Sequence, residues 1–187
     1  MSYFNLHKQY VKYGEYHSHP TNVIQHQIFV PLILWSMFGF MSYTNPIVDL
    51  PIPAELSSYI IPNYSLLMLA VYSVYYIILD PAAGLMYFPI LAALLASATY
   101  VAHQITYGLL ILSAVHVVSW VIQVNGHYVY EKRAPALLDN LPQAFLMAPF
   151  FVFLEGLFAL GYRKEFHAAV NADITHKVRE FHKAKQS

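Results

Sequence analysis

The chain has 187 residues, 58% hydrophobic and 11% charged, with zero net charge and no cysteine. Soluble domains carry roughly 25% charged residues, and with zero net charge nothing suggests a nucleic-acid partner. The missing cysteine excludes disulfides, thiolate ligands and thiol catalysis, which leaves ten histidines and ten carboxylates as possible metal ligands.

The first 23 residues are polar and aromatic and lack the apolar core of a cleavable signal peptide. The chain then turns apolar. A membrane crossing needs about 20 mostly apolar residues, and Ile24 to Tyr43 meets that length. Asn45 to Ser58, rich in proline, reads as a loop. Tyr59 to Leu79 is a second span, stopped by Asp80-Pro81. His103-Gln104 and Gly108 divide the next long run into a third span at 82–102 and a fourth at 106–129, which Glu131-Lys132-Arg133 ends. Residues 141–162 are apolar but interrupted by Pro142, Pro149 and Glu155, and from Arg163 the chain is charged. The expected fold is all-α: a polytopic membrane bundle of about four full spans plus a re-entrant or interfacial hairpin. Residues 1–162 are expected to form a single membrane-embedded domain, and 163–187 a cytoplasmic charged helical tail.

Charge placement fixes the expected orientation. The basic residues lie at Lys8 and Lys12, at Lys132 and Arg133, and in the tail from Arg163 to Lys185. The positive-inside rule puts all three groups in the cytoplasm. Four spans satisfy it, whereas a fifth full span would send the six basic tail residues across. Irregular backbone at 141–162 is tolerated where protein or a cavity covers it.

The same parity brings two distant clusters to one membrane face. His17, Asn22 and His26 open the first span; Gln123, His127 and Glu131 close the fourth. Asn22 and His26 are i,i+4, and Gln123, His127 and Glu131 form an i, i+4, i+8 stripe that His116 and Trp120 roughly extend. Buried polar groups in a bilayer face a bundle interior or cavity. Two or three histidines with a carboxylate suit non-haem Fe(II); the same set suits zinc. Blander roles stand beside this one. His19 is a turn residue next to Pro20, and His116 either ligates or bonds across helices. His103 falls in a lumenal turn, while His167, His176 and His182 belong to a solvated tail. Glu155, a carboxylate in an apolar segment, needs a partner: Arg133, His127 or a backbone amide. Lys132 and Arg133 are membrane anchors or the cradle of a carboxylate head group.

YHSHPTNVIQHQIFVP at 16–31 and WVIQVNGHYVYEKRAPALLDNLPQAFLMAPFFVFLE at 120–155 resemble the fungal endoplasmic-reticulum 2-hydroxy fatty acid dioxygenase family, small membrane proteins of phytosphingosine breakdown. The matching positions are His17, Pro20, Asn22 and His26, then Trp120, Gln123, Gly126, His127 and Glu131, then Pro135, Ala136, Asp139 and Asn140. The resemblance covers about residues 5 to 162; His19 and His116 lie outside its pattern. It implies an Fe(II)-dependent enzyme in the endoplasmic reticulum membrane, taking a 2-hydroxy fatty acid and O2 and shortening the acid by one carbon. His17, His26 and His127 would then bind iron, with Glu131 a ligand or the group fixing an imidazole tautomer. Asn22 and Gln123 would orient ligands or substrate. Lys132, Arg133 and Trp120 would meet substrate, and Glu155 would stand behind the ligands. Two other classes stay open. A different membrane metalloenzyme is one, although the chain has none of the HxxxH or HxxHH boxes of membrane hydroxylases. A non-enzymatic membrane scaffold is the other, and it leaves the two histidine clusters unexplained.

Overall fold

The structure, a computed structural model, describes residues 3–135 and 143–186. Every regular element among them is helical, in seven α-helices. α1 (Leu6–Gly14) is capped by Asn5, whose side chain accepts from the Lys8 amide. α2 (Pro20–Ser42) begins four residues before the expected span, at a proline whose fixed φ suits a first turn. Its 23 residues extend about 34 Å, enough for a hydrocarbon layer of about 30 Å.

α3 (Tyr64–Leu79) starts later than predicted and has only 16 residues, about 24 Å. The cause is Asn63. Its Oδ1 takes the Ser65 amide at 3.0 Å, and its Nδ2 donates to the carbonyls of Ser42 and Thr44 at 2.9 and 3.0 Å. Residues 59–63 are therefore held in the preceding turn. Asp80 ends α3 and caps α4 (Pro81–Gln104) through the Ala83 amide. At this corner the chain needs Gly84: a Cβ there would stand 2.6 Å from the backbone nitrogen of Ile77. α5 (Gly108–Gly126) continues as a π turn over His127–Glu131. A second π turn, Gln143–Met147, leads into α6 (Ala148–Ala159), and α7 (Lys164–Gln186) closes the chain.

Three helices among the described residues are long and apolar enough to cross a membrane: α2, α4, and α5 with its π turn. A fourth crossing exists if α6 and α7 are one broken span. The α6–α7 pair, sharply bent, is a broken span or a re-entrant loop, in keeping with the expected hairpin at 141–162, but Pro149 does not make its turn. Pro149 fits at the start of α6, where it has no helical bond to break. The change of direction, 120°, comes instead after α6, where Gly161 at φ 90° and Arg163 at φ 44° adopt left-handed backbone. Pro142 lies outside the described residues.

The chain divides into two compact units. One comprises residues 1–28 and 122–187, the other residues 29–121. In the first, α1 packs against α6 and α7. Tyr10 is fully buried there, edge-on to Phe151 and Phe158. The second holds the α3–α4 hairpin, with Tyr76 and Leu91 fully buried.

Candidate metal centre

The first unit gathers both histidine clusters. His17 lies in the turn before α2, His26 on the second turn of α2, and His127 at the start of the π turn. One ring nitrogen from each comes within 4.8 Å of the others, a group able to hold a metal ion. The ring centroids are 4.3, 4.8 and 4.9 Å apart and the planes meet at 74–85°, so the rings converge edge to face.

The surroundings set which nitrogens face inward. Nδ1 of His17 lies 2.8 Å from the Tyr13 carbonyl, and Nδ1 of His26 lies 2.9 Å from the Asn22 carbonyl. A carbonyl only accepts, so both Nδ1 atoms carry the proton and each Nε2 keeps its lone pair. Fixing the tautomer through the second nitrogen is a common arrangement behind metal-binding histidines. Nδ1 of His127 is buried and has no hydrogen-bond partner among the described residues. Burial holds the His17 imidazole well below its usual range, and neighbouring His26 and His127 add to the effect. His17 therefore presents a lone pair, not a charge, at physiological pH. Its ring is backed by Tyr13, stacked at 3.8 Å and 11°.

Glu131, buried at the end of the π turn, faces the N-terminus of α2. Its Oε1 accepts from the amides of Ser18 and His19 at 2.8 Å each and from Asn22 Nδ2 at 3.0 Å. Its Oε2 accepts from Ser18 Oγ at 2.9 Å. Negative charge at a helix N-terminus is favourable because the first amides have no helical acceptor. Gly126 lets α5 approach: a Cβ there would collide with Asn22 Oδ1 and Gln25 Oε1. Gln123, one turn before His127, is buried, and its Nε2 has no hydrogen-bond partner among the described residues.

The remaining sequence-predicted residues take other places. Arg133 donates to the Glu15 carbonyl at 2.7 Å, and its guanidinium lies 3.5 Å from the Tyr16 ring and 4.3 Å from the Phe181 ring. It joins α7 to the turn after α1. Lys132 is exposed, in left-handed backbone at φ 54°. Glu155 accepts from the Tyr10 hydroxyl, a partner not among those expected; burial and the Glu155 charge push the Tyr10 phenol up. In the second unit, Trp120 donates its indole N–H to His116 Nε2 at 3.0 Å, and His116 Nδ1 meets Ser36 Oγ at 2.8 Å. His103 bonds Ser42. The expected positions Ala136, Asp139 and Asn140 lie outside the described residues. Sequence reasoning missed the amides of Ser18 and His19 and the ring of Tyr13. Ser-His-Pro ahead of an apolar run is a helix-start signal and pointed to unpaired amides there, but not to their acceptor 113 residues away.

A family model described as "2-hydroxy-palmitic acid dioxygenase Mpo1-like" matches residues 3–160. The chain belongs to the Mpo1-like family. It is 31% identical over 182 residues to the 2-hydroxy-palmitic acid dioxygenase MPO1 of Saccharomyces cerevisiae, covering 97% of each chain. No solved structure matches. The Mpo1-like match runs through both halves of the histidine group and ends near the close of α6, so α7 lies beyond it.

Proposed function

We propose that the protein is an Fe(II)-dependent dioxygenase that α-oxidises long-chain 2-hydroxy fatty acids to acids one carbon shorter, as a step in sphingoid-base breakdown. The observation that carries this reading is the convergence of His17, His26 and His127 in a chain that aligns end to end with a 2-hydroxy-palmitic acid dioxygenase. The site lies in the endoplasmic reticulum membrane at its cytoplasmic face, and the N-terminus and tail are cytoplasmic. Residues 1–162 do the chemistry and 163–187 are appended to it.

The donor set fits the metal. Three imidazoles with two tautomers fixed by backbone carbonyls, and one buried nitrogen without a partner, suit a divalent ion that keeps open positions. Bound Fe(II) supplies the redox chemistry that lets O2 react with the substrate. The chain's own residues do the rest. Tyr13 and Asn22 hold the rings of His17 and His26 through their carbonyls. Gln123 Nε2 offers a donor to the substrate's oxygens. Lys132 and Arg133, directly after the π turn, supply positive charge where the acid's carboxylate arrives. Apolar helices surround the acyl chain.

Detergent-purified protein tests this. It should contain close to one iron per chain and convert 2-hydroxypalmitic acid and O2 to the acid one carbon shorter. Iron-replete protein that leaves the acid unchanged would overturn the assignment of reaction; metal-free protein after anaerobic iron loading would overturn the centre itself.

A further inference from the structure

A carboxylate among histidines reads first as a fourth ligand or a base, and Glu131 is the one nearest in sequence to His127. The structure gives it different work. The ring nitrogens that converge belong to His17, His26 and His127, and the Glu131 carboxylate is not in that group. Its oxygens are turned to donors of the chain: two backbone amides, one side-chain amide and one hydroxyl at 2.8–3.0 Å. Three donors occupy Oε1 and the Ser18 hydroxyl is on Oε2, so both oxygens are engaged by the chain itself.

The donors have a pattern. Ser18 and His19 directly follow His17. Asn22 gives its side chain to Glu131 and its carbonyl to His26 Nδ1. Glu131 itself ends the π turn that His127 begins. One carboxylate thus fastens the three segments that carry the three imidazoles.

Resting on the metal-centre reading above, we infer that Glu131 is a positioning residue that clips these segments together and not a metal ligand, and that the metal's ligands among the described residues are the three imidazoles. The common two-histidine, one-carboxylate site brings a negative ligand of its own. Among the described residues no carboxylate joins the three imidazoles, and an anion with two adjacent oxygen donors, such as a 2-hydroxy carboxylate, would supply that charge from the substrate.

Glutamine separates a clip from a ligand. Its Oε1 accepts the same three N–H groups, and its amide donates to Ser18 Oγ, which accepts in turn. The test is iron content, with the visible spectrum of the Co(II)-loaded protein, for wild type, Glu131→Gln, Glu131→Ala and Ser18→Ala, alongside helix content. Glu131→Gln should retain iron and show the wild-type cobalt spectrum. Glu131→Ala should bind metal about 10- to 100-fold more weakly, the usual effect of losing a group behind the ligands. A folded Glu131→Gln that loses iron, or whose cobalt spectrum shifts, would overturn the inference. If that variant does not fold, Ser18→Ala decides. Iron binding weakened about fivefold, one hydrogen bond's worth, supports the clip; wild-type binding overturns it. Wild-type protein without metal sinks the metal-centre reading and this inference with it. That result differs plainly from metal-replete wild type beside metal-free Glu131→Gln.

Discussion

Two histidine environments in this protein look alike in sequence and differ in what they leave unpaired. In the second unit His116 has both nitrogens engaged. The Trp120 indole donates to Nε2, so Nδ1 carries the proton and donates to Ser36 Oγ, which passes its own hydrogen to the Ile33 carbonyl. The chain of donors is closed. In the first unit His17 and His26 each use one nitrogen on a carbonyl, and His127 has a buried nitrogen with no partner among the described residues. Neutral imidazole has one donor and one acceptor. Where both are matched by the protein the ring is a strut; where acceptors are left facing one another, the site is arranged for something that brings positive charge.

The comparison breaks most sharply at His127. Replacing it with Ala should reduce bound iron to less than a tenth of wild type and turnover by more than about 100-fold, since a ligand is lost outright. Membrane insertion should be unchanged. Elemental analysis beside a product assay checks this, and normal iron in the variant would return His127 to the class of His116.

Gly126→Ala comes next. Its Cβ would collide with Asn22 Oδ1 and Gln25 Oε1, and forcing an atom into a packed contact costs about 1–3 kcal/mol. A lower thermal midpoint together with weaker iron retention is expected, because Asn22 also holds His26 and Glu131. Wild-type values for both would show that the two oxygens move aside freely.

Phe181→Ala sharpens the role of the tail. It removes one ring from the Arg133 guanidinium, a contact of about 0.5–1 kcal/mol where exposed and about 2 where desolvated. Stability should fall by that amount with kcat unchanged. A drop in kcat at full iron occupancy would show that α7 reaches into catalysis.

The smallest effect belongs to the other histidine. His116→Phe breaks the bond to Trp120 within α5 and the one to Ser36 on α2, and a side-chain hydrogen bond between membrane helices averages about 0.6 kcal/mol. Iron content should equal that of wild type. Loss of iron in this variant would erase the distinction between the two environments.

Sequence alone determined much of the helical layout. Hydrophobic runs of about 20 residues have few physical options in a bilayer besides helices. Asp80-Pro81 and Gly108 divided those runs because a capping carboxylate, a ring without an N–H and a residue without Cβ act locally. The histidines were legible in part: charge parity puts both clusters on one side, and the family resemblance, not the spacing, singles out His17, His26 and His127. Tertiary structure decided the partners. Glu131 reads in sequence as a ligand or tautomer guide, and only the fold supplies its partners, amides 112 and 113 residues away. Arg133 reads in sequence as a membrane anchor or a head-group cradle, and only the fold shows that its guanidinium lies by the Tyr16 and Phe181 rings. Glu155 pairs with Tyr10, which no spacing rule connects to it. Hydrogen bonds between distant segments depend on distances of a few tenths of an ångström, and periodicity fixes only which face of a helix a residue occupies.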